Sequence, residues 1–219
     1  MARWEPTSQA VSVTTRRTPP PATLDWRAFA LPWGMVGRIG GRVMARMSAP
    51  AQREVIGLLN LRRCDRVLEV GYGPGTLVRL LAERTDASLI AGVDPSPVMR
   101  EQALRRCRAA VAAGRVELDI GAATETGRPD GSFDHVVSVN NVVLWGDLPA
   151  GVRELHRVLR PGGHLLVAFH SRTARAWHER RIGLPEHVAC QIEAIVTDTF
   201  GNAERHDLDH VVAFTATRG

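Results

Sequence analysis

Two acidic residues and a run of alternating glycines indicate where chemistry takes place in this sequence. Glu69 lies in an apolar segment that runs into Gly71, Gly73 and Gly75, and Asp94 follows 19 residues after the last of these glycines. A strand that enters a glycine-rich turn and reopens as a helix brings backbone N–H groups close to a ligand. A carboxylate at Asp94 can accept hydrogen bonds from ribose hydroxyls, whereas an acid at Glu69 would repel a pyrophosphate but suit an ammonium group. The pattern favours an adenosine-containing cofactor.

The segments that position these residues alternate between strand and helix. Apolar runs predict strands at 66–70, 88–93, 115–120, 134–139, 164–170, 203–208 and 210–217, and helices at 50–60, 76–84, 97–113, 149–159 and 186–200. Ser96 and Pro97 predict the start of one helix, and Pro161-Gly162-Gly163 predicts a turn that stops another. Strands that alternate with helices indicate a parallel sheet covered on both faces, and the last two strands, with no helix between them, indicate a hairpin.

Four motifs follow one another along this pattern. They are Val67 to Gly75, Gly92-Val93-Asp94-Pro95-Ser96, Asp130-Gly131-Ser132-Phe133-Asp134 and Leu159-Arg160-Pro161-Gly162-Gly163. Together they resemble the class I S-adenosylmethionine-dependent methyltransferases over roughly residues 55–217. The resemblance implies an α/β, Rossmann-like sheet of seven strands, mostly parallel with an antiparallel C-terminal strand. Helices would cover both faces, and an N-terminal helical lid would cover the pocket.

The resemblance also implies the cofactor S-adenosyl-L-methionine, which would leave as S-adenosyl-L-homocysteine. Ligands of such sheets bind beyond the carboxyl ends of the strands. Asp94 would bind the ribose, and Glu69 would hold the amino group or serve only to order the turn, while Pro95 and Met99 would flank the adenine. The expected cofactor-binding residues are Glu69, Gly71, Tyr72, Gly73, Gly75, Asp94, Pro95, Met99, Ala122, Ala123, Thr124 and Asn140.

The adenine contacts depart from the family pattern after the third strand. The chain carries Gly121-Ala122-Ala123 where the family commonly has Gly-Asp-Ala. The acid that would bind the adenine amino group is therefore missing at Ala122. Glu125 or Thr124 would substitute for it, or the backbone N–H of Ala123 would bind the adenine ring alone.

The segment from Asn140 to Trp145 is expected beside the transferred methyl group. The family's DNA and protein-glutamine amide methylases carry Asn-Pro-Pro-aromatic there, and this chain does not, which disfavours that amino-group chemistry. The Asn140 backbone would touch the cofactor, while Asn141, a candidate catalytic residue, and Trp145 would face the substrate. An Asn pair is also typical of a turn that ends a strand.

His170 ends the fifth predicted strand and is a candidate general base for a phenol, hydroxyl or amine. The alternatives are a structural histidine or a neutral substrate contact. His178 and Trp33 are further candidates for contact with the substrate. The histidines show no metal-ligand spacing, so no metal is expected.

The N-terminal part divides into a disordered arm, 1–23, and a helical lid segment, 24–61, ahead of the catalytic domain, 62–219. Met35, Ile39, Val43 and Met47 fall at helical spacing, with arginines on another face. Three hypotheses fit this segment. The helix docks on the domain, forms a lid over the substrate, or lies as a basic amphipathic helix on an anionic membrane.

Net charge and composition narrow the class of partner. The formal net charge is +5, and every basic residue other than histidine is an arginine. The abundance of Ala, Gly and Arg resembles a coding bias more than a phosphate-binding face, so no nucleic acid is expected. Three distant cysteines favour a reducing, cytoplasmic setting, and no apolar run predicts a membrane span or signal peptide. The expected state is a monomer or homodimer.

The leading hypothesis is a methyltransferase that transfers a methyl group to an O, N or C nucleophile of a small molecule, of the natural-product, quinone or lipid type. A Rossmann dehydrogenase would need glycine at position 76, which is Thr76. An RNA methyltransferase and a non-catalytic cofactor-binding or regulatory protein remain as alternatives. The methyl acceptor and its reacting atom are left open by the sequence.

Overall fold

The computed structural model describes residues 49–174 and 177–219. The predicted arm, the helical pattern at 35–47 and Trp33 lie outside the described residues. The elements in chain order are α1 (Ala49–Leu59), β1 (Arg66–Val70), α2 (Thr76–Arg84), β2 (Leu89–Asp94), α3 (Pro97–Arg106), α4 (Arg108–Ala112), β3 (Val116–Ile120), β4 (Phe133–Val139), a 3₁₀ turn (Val142–Leu144), α5 (Leu148–Val158), β5 (Leu159–His170), α6 (Trp177–Ile182), α7 (Glu186–Phe200), β6 (Glu204–Asp207) and β7 (Val211–Thr217).

The strands form one seven-stranded sheet in the order β3-β2-β1-β4-β5-β7-β6. The first five strands pair in parallel, whereas β7 is antiparallel to both β5 and β6. This order confirms the Rossmann-like fold, the antiparallel C-terminal strand and the closing hairpin predicted from the sequence. The carboxyl ends of β1, β2, β4 and β5 meet at one edge, which is called the carboxyl edge below.

Helices bury both faces of the sheet. Val67, Ile90 and Leu166 belong to a core shared with α1 and α2, and Leu68 and Leu165 belong to a core shared with α5 and α7. Successive residues of a strand point to opposite faces, so this division also assigns faces to the polar residues farther along each strand. By that alternation Glu69, Asp94 and His170 share the face that α1 and α2 cover.

Local chemistry explains why the helices begin where they do. Ser96 precedes α3, its hydroxyl accepts a hydrogen bond from the Met99 N–H at 3.3 Å, and Pro97 occupies the first turn. Gly75 precedes α2 with a left-handed φ of 76° and has no side chain to cap the helix. The strand β1 and the helix α2 have the bounds predicted from the sequence.

Three segments differ from the expected pattern, and the first is α6, Trp177–Ile182, which lies where a loop was expected before Pro185. The predicted helix 97–113 is interrupted at Cys107, whose ψ of 14° leaves the helical range, so α3 and α4 are separate helices. The predicted helix-stop turn at 161–163 lies instead inside β5. Phe133 pairs with Leu159 and His135 with His164, so β5 carries extra residues there as a bulge, in which Gly162 has a φ of 73°.

A network of polar contacts fastens the β3–β4 connection to α5. The Glu154 carboxylate accepts hydrogen bonds from the N–H and hydroxyl of Thr126 at 2.8 and 2.6 Å and from Arg157 at 2.7 and 2.8 Å. Burial would raise the pKa of Glu154, but the hydrogen bonds from Arg157 and Thr126 outweigh burial and lower that pKa to about 2. The ionised carboxylate therefore stabilises the fold.

We expect Glu154→Gln to reduce the free energy of unfolding at pH 7 by about 1–3 kcal/mol, because one pKa unit corresponds to about 1.4 kcal/mol. A depressed pKa gives stability that is fully present above the unfolded-state value near 4.5 and lost as the pH falls towards 2. Urea unfolding of both proteins at pH 7 and pH 3 should show the difference shrinking by more than half.

Glu83→Gln provides the matched control. Glu83 pairs with Arg79 at 2.8 Å on the exposed surface of α2, with side chains 40% and 52% exposed. Such a pair contributes less than about 0.5 kcal/mol. A difference between wild type and Glu154→Gln that stays constant from pH 7 to pH 3 would contradict the role given to the Glu154 charge.

Candidate cofactor and acceptor site

The glycine turn after β1 depends on backbone conformations that favour glycine. Gly71, Gly73 and Gly75 have φ values of 76°, 52° and 76°. A Cβ at Gly75 would lie 2.7 Å from the Cβ of Ala103, so a side chain there would push α3 away. A Cβ at Gly73 would meet nothing within 4 Å. The turn therefore packs tightly against α3 at Gly75 and faces open space at Gly73.

The Asp94 carboxylate joins this turn to the start of α3. Its Oδ2 accepts a hydrogen bond from the Gly73 N–H at 2.9 Å, and its Oδ1 accepts one from the Ser96 N–H at 2.9 Å. The residue is only 7% exposed, and burial raises its pKa although both N–H bonds act to lower it. Each carboxylate oxygen has two lone pairs and spends one on a backbone N–H, so both can accept a further hydrogen bond from a hydroxyl.

Glu69 lies deeper, beneath the turn. It is 3% exposed, and its carboxyl accepts a hydrogen bond from the backbone N–H of Val78 in the first turn of α2. Burial, together with the nearby charge of Asp94, raises the pKa of Glu69 well above its ordinary value. Among the described residues, its Oε2 atom is buried without a hydrogen-bond partner. The contact with Val78 agrees with the interpretation that Glu69 orders the turn, and the unpaired oxygen agrees with a cationic ligand group.

These features fit the groups of S-adenosyl-L-methionine. A pair of ribose hydroxyls matches the remaining lone pairs of Asp94, and a cationic group matches the unsatisfied buried oxygen of Glu69. The space above Gly73 allows a ligand to approach the backbone. The assignment of individual contacts remains a prediction.

The other expected residues near the turn are either buried in the core or exposed at the carboxyl edge. The Tyr72 ring is buried over Gly92, and its hydroxyl donates a hydrogen bond to the Asp119 carbonyl oxygen at 3.1 Å. Burial raises its pKa. Met99 is buried on α3, whereas Pro95 is exposed at the carboxyl edge. Tyr72 thus supports the turn from within the core, and Pro95 lies where a bound adenine could reach it.

The expected adenine segment forms a tight turn after β3. Ala122 and Glu125 exchange two backbone hydrogen bonds of 3.2 Å, which engages the N–H of each residue. Ala123 is buried, whereas Ala122, Thr124 and Glu125 are exposed. Neither substitute for the missing acid is selected by these contacts.

Asn140 and His170 connect the carboxyl ends of β4 and β5. Asn140 has a φ of 60°, and its side-chain oxygen accepts a hydrogen bond from the His170 backbone N–H at 2.8 Å. His170 is 6% exposed, and its ring meets that of Phe169 edge-on with centroids 6.2 Å apart. This hydrogen bond therefore brings the two residues together at the carboxyl edge.

Asn141 occupies a different environment from the one expected of a catalytic group. Its amide nitrogen donates to the carbonyl oxygens of Val70, Val139 and Gly71 at 2.9, 3.1 and 3.4 Å. Its amide oxygen accepts from the Ser138 hydroxyl at 2.9 Å and from the Trp145 indole N–H at 2.7 Å. The side chain is thus directed into the protein framework. Its candidate role in catalysis stays a prediction that these contacts do not favour.

Ser138 is the member of this group that sequence analysis missed. It is fully buried in β4, a strand otherwise made largely of apolar residues. A serine at a buried strand position needs a hydrogen-bond partner. A serine within a largely apolar strand was therefore the feature of the sequence that could have indicated a buried hydrogen bond at this position.

Two candidates for contact with the substrate remain, His178 and Trp33. His178 belongs to α6, and its side chain lies outside the described part of the structure. Trp33 lies outside the described residues. Within the described part of the chain, no three His, Cys, Asp or Glu side chains converge in a metal-binding arrangement.

A separate cavity of about 610 Å³ lies at the opposite edge of the sheet. It is lined by residues at the amino ends of the parallel strands and by the C-terminal hairpin, among them Asp65, His135, His164, His206, Thr215 and Thr217. The expected cofactor residues are not among its lining residues. The cavity is therefore distinct from the crevice at the carboxyl edge.

The sheet order, the alternating-glycine turn and the acid that ends β2 define a Rossmann-like domain that binds a nucleoside cofactor. Residues 67–163 match the family model described as a methyltransferase domain. YdaC, an uncharacterized methyltransferase of Bacillus subtilis, is 32% identical over 142 residues, which cover 65% of this chain and 76% of that protein. The chain therefore belongs to the class I S-adenosylmethionine-dependent methyltransferases. It is an enzyme of this family, and S-adenosyl-L-methionine is its cofactor.

Two further comparisons extend this result. The ubiquinone/menaquinone biosynthesis C-methyltransferase UbiE of Geobacter sp. (strain M21) is 32% identical over 120 residues, which cover 53% of this chain and 50% of that enzyme. The chain thus spans half the length of that relative. The crystal structure of a candidate S-adenosyl-L-methionine-dependent methyltransferase from Methanococcus maripaludis has a TM-score of 0.69 at 22% identity, covering 82% of this chain and 92% of that chain.

We expect Asp94→Asn to weaken binding of S-adenosyl-L-homocysteine by about 10- to 100-fold, because hydrogen bonds to a charged group contribute about 1.5–3 kcal/mol. An asparagine can accept only one of the two backbone hydrogen bonds, so the turn would also shift. Isothermal titration calorimetry measures the affinity directly. Asp198→Asn, on the exposed surface of α7, is the control and should bind like wild type. Equal affinities in the two variants would remove Asp94 from the site.

Proposed function

We propose that this enzyme methylates a small molecule, with an O, N or C nucleophile as the acceptor atom. The proposal is supported by the placement of Glu69, Asp94 and His170 on the same face of the sheet, at the carboxyl ends of β1, β2 and β5. The similarity to UbiE, whose name describes a C-methyltransferase of quinone biosynthesis, favours a small acceptor. The absence of the Asn-Pro-Pro-aromatic motif at residues 140–145 further disfavours acceptors of the base or amide type.

The chemistry of the cofactor determines which tasks are left to the residues of the protein. When bound, S-adenosyl-L-methionine supplies a methyl group on a sulfonium, which is already a good leaving group. The chain's own residues therefore need to orient the reactants and exclude water. Asp94 would orient the ribose, and the buried carboxyl of Glu69 would lie near the cationic part of the ligand. Trp145 is half-buried, with its ring packed against Gly151 of α5 and its indole N–H donating to Asn141, and it would contact the acceptor.

His170 is the proposed general base for acceptors that must lose a proton. A histidine has an ordinary pKa close to neutrality, so its neutral imidazole can accept a proton from a phenol, hydroxyl or amine. The hydrogen bond from its backbone N–H to Asn140 fixes the end of β5 relative to β4. That contact holds the residue at the carboxyl edge irrespective of its protonation.

A methyl-transfer screen over phenols, quinols, amines and lipids, with RNA as a comparison, tests the proposed function. We expect release of S-adenosyl-L-homocysteine with at least one class of small molecule and none with RNA. Methylation of RNA with a steep dependence of binding on salt would support an RNA substrate instead. Cofactor binding without turnover of any acceptor class would favour a regulatory protein.

His170→Gln tests the proposed base once an acceptor with an ionisable proton is known. We expect kcat to fall by about 10²- to 10⁴-fold, the usual contribution of a positioned base, with unchanged affinity for S-adenosyl-L-homocysteine. His164→Gln is the matched control because His164 lies on the same strand, six residues earlier and at the opposite edge of the sheet. A kcat equal to that of the control would exclude His170 as the base.

A further inference from the structure

The Asn141 amide joins the two halves of the site. One half is the end of β1, where the amide nitrogen donates to the carbonyl oxygens of Val70 and Gly71 at 2.9 and 3.4 Å. The other half is the segment after β4, where the amide oxygen accepts from the Trp145 indole N–H at 2.7 Å. The glycine turn begins at the first half, and the expected acceptor contact belongs to the second.

Packing fixes the position of this amide. A Cβ placed on Gly71 would lie 2.4 Å from both Cγ and Nδ2 of Asn141, so the side chain fits directly against the hydrogen of the glycine. An added methyl at position 71 or a longer amide at position 141 would force the two segments apart. The contact is therefore one of shape as well as of hydrogen bonding.

Hydrogen bonding also fixes the orientation of the amide. Its nitrogen faces three carbonyl oxygens, from Val70, Gly71 and Val139. Its oxygen faces two donors, the Ser138 hydroxyl and the Trp145 indole N–H. Rotating the amide by 180° would place its oxygen against carbonyl oxygens and its nitrogen against an indole N–H, which would break every one of these bonds except that with the Ser138 hydroxyl, which can also accept. The indole ring packs against Gly151 of α5, and its N–H is held by an amide whose own orientation is set by the glycine turn.

We propose that Asn141 is a positioning residue that couples the Trp145 segment to the cofactor turn, and that it does not touch the reacting atoms. The inference rests on the proposed function, because it takes the glycine turn as part of the cofactor site and Trp145 as a contact of the acceptor. Loss of the amide frees the carbonyl oxygens at the end of β1 and the indole together. Cofactor affinity then depends on a residue that does not contact the cofactor.

Asn202 offers a matched control for the loss of an asparagine that links segments. Its amide nitrogen donates to the carbonyl oxygens of Phe200 and Thr217 at 3.1 and 3.0 Å, and its amide oxygen accepts from the Thr217 N–H at 2.9 Å. It ties α7 to the C-terminal hairpin and lines the cavity at the opposite edge of the sheet. Asn202→Ala therefore removes a comparable link far from the carboxyl edge.

The experiment measures S-adenosyl-L-homocysteine affinity by calorimetry and the melting temperature for wild type, Asn141→Ala and Asn202→Ala. Both variants should melt at a lower temperature than wild type. Only Asn141→Ala should bind the ligand more weakly, by about tenfold, since it loses the hydrogen bonds that hold the cofactor turn against the Trp145 segment. Affinities of the two variants within twofold of each other would overturn the proposal.

Trp145→Phe tests the coupling separately and keeps the amide with its three carbonyl contacts, so it does not depend on the folding of Asn141→Ala. It removes the indole donor, and we expect it to weaken ligand binding by about three- to tenfold. The double variant should bind no more weakly than Asn141→Ala alone. Wild-type affinity in Trp145→Phe, or additive losses in the double variant, would overturn the coupling.

The wild-type titration separates this inference from the function on which it rests. Failure of the unsubstituted protein to bind S-adenosyl-L-homocysteine would overturn the proposed function and the inference together. Tight binding by wild type with equal binding by Asn141→Ala and Asn202→Ala would overturn the coupling alone.

Discussion

The two backbone hydrogen bonds of the Asp94 carboxylate are the interaction on which the architecture of the site depends. They join the glycine turn after β1, the end of β2 and the start of α3 at one side chain. The Gly71 N–H adds a third link by donating to the Val93 carbonyl oxygen at 2.8 Å. Because these strands are neighbours in a parallel sheet, such links also set how far apart the two loops stand at the carboxyl edge. The protein's own hydrogen bonds therefore fix the relative positions of these loops.

The pKa values of the acidic residues are shifted in opposite directions in the candidate site and in the contact between α5 and the β3–β4 connection. Hydrogen bonds from Arg157 and Thr126 outweigh burial and hold the pKa of Glu154 near 2, so its charge is satisfied within the protein. Burial raises the pKa values of Glu69 and Asp94, which lie close enough to repel each other. Perturbation of this kind concentrates at functional sites, because the missing interactions are left for the ligand to make. The contrast separates residues that hold the fold from residues that await a partner.

Most of the fold, but only part of the site, could be predicted from the sequence. Strand β1 and helices α2 and α7 have their expected bounds because apolar periodicity and Gly75, Pro185 and Gly201 mark them locally. The bulge at 160–163 could not be predicted, since it depends on pairing with β4. The direction of the Asn141 amide was equally hidden, because it is set by carbonyl oxygens about 70 residues away in the chain. Local sequence determines which element carries a side chain, whereas backbone groups distant in the chain determine the direction in which that side chain points.

The burial of Glu69 has a consequence for the engineering of this enzyme. A carboxyl that is 3% exposed, with one oxygen lacking a partner among the described residues, carries a desolvation cost that a bound cationic group would offset. Stabilisation schemes that score the protein without its cofactor would favour an apolar residue at position 69 and would thereby remove a carboxyl proposed to bind the cofactor.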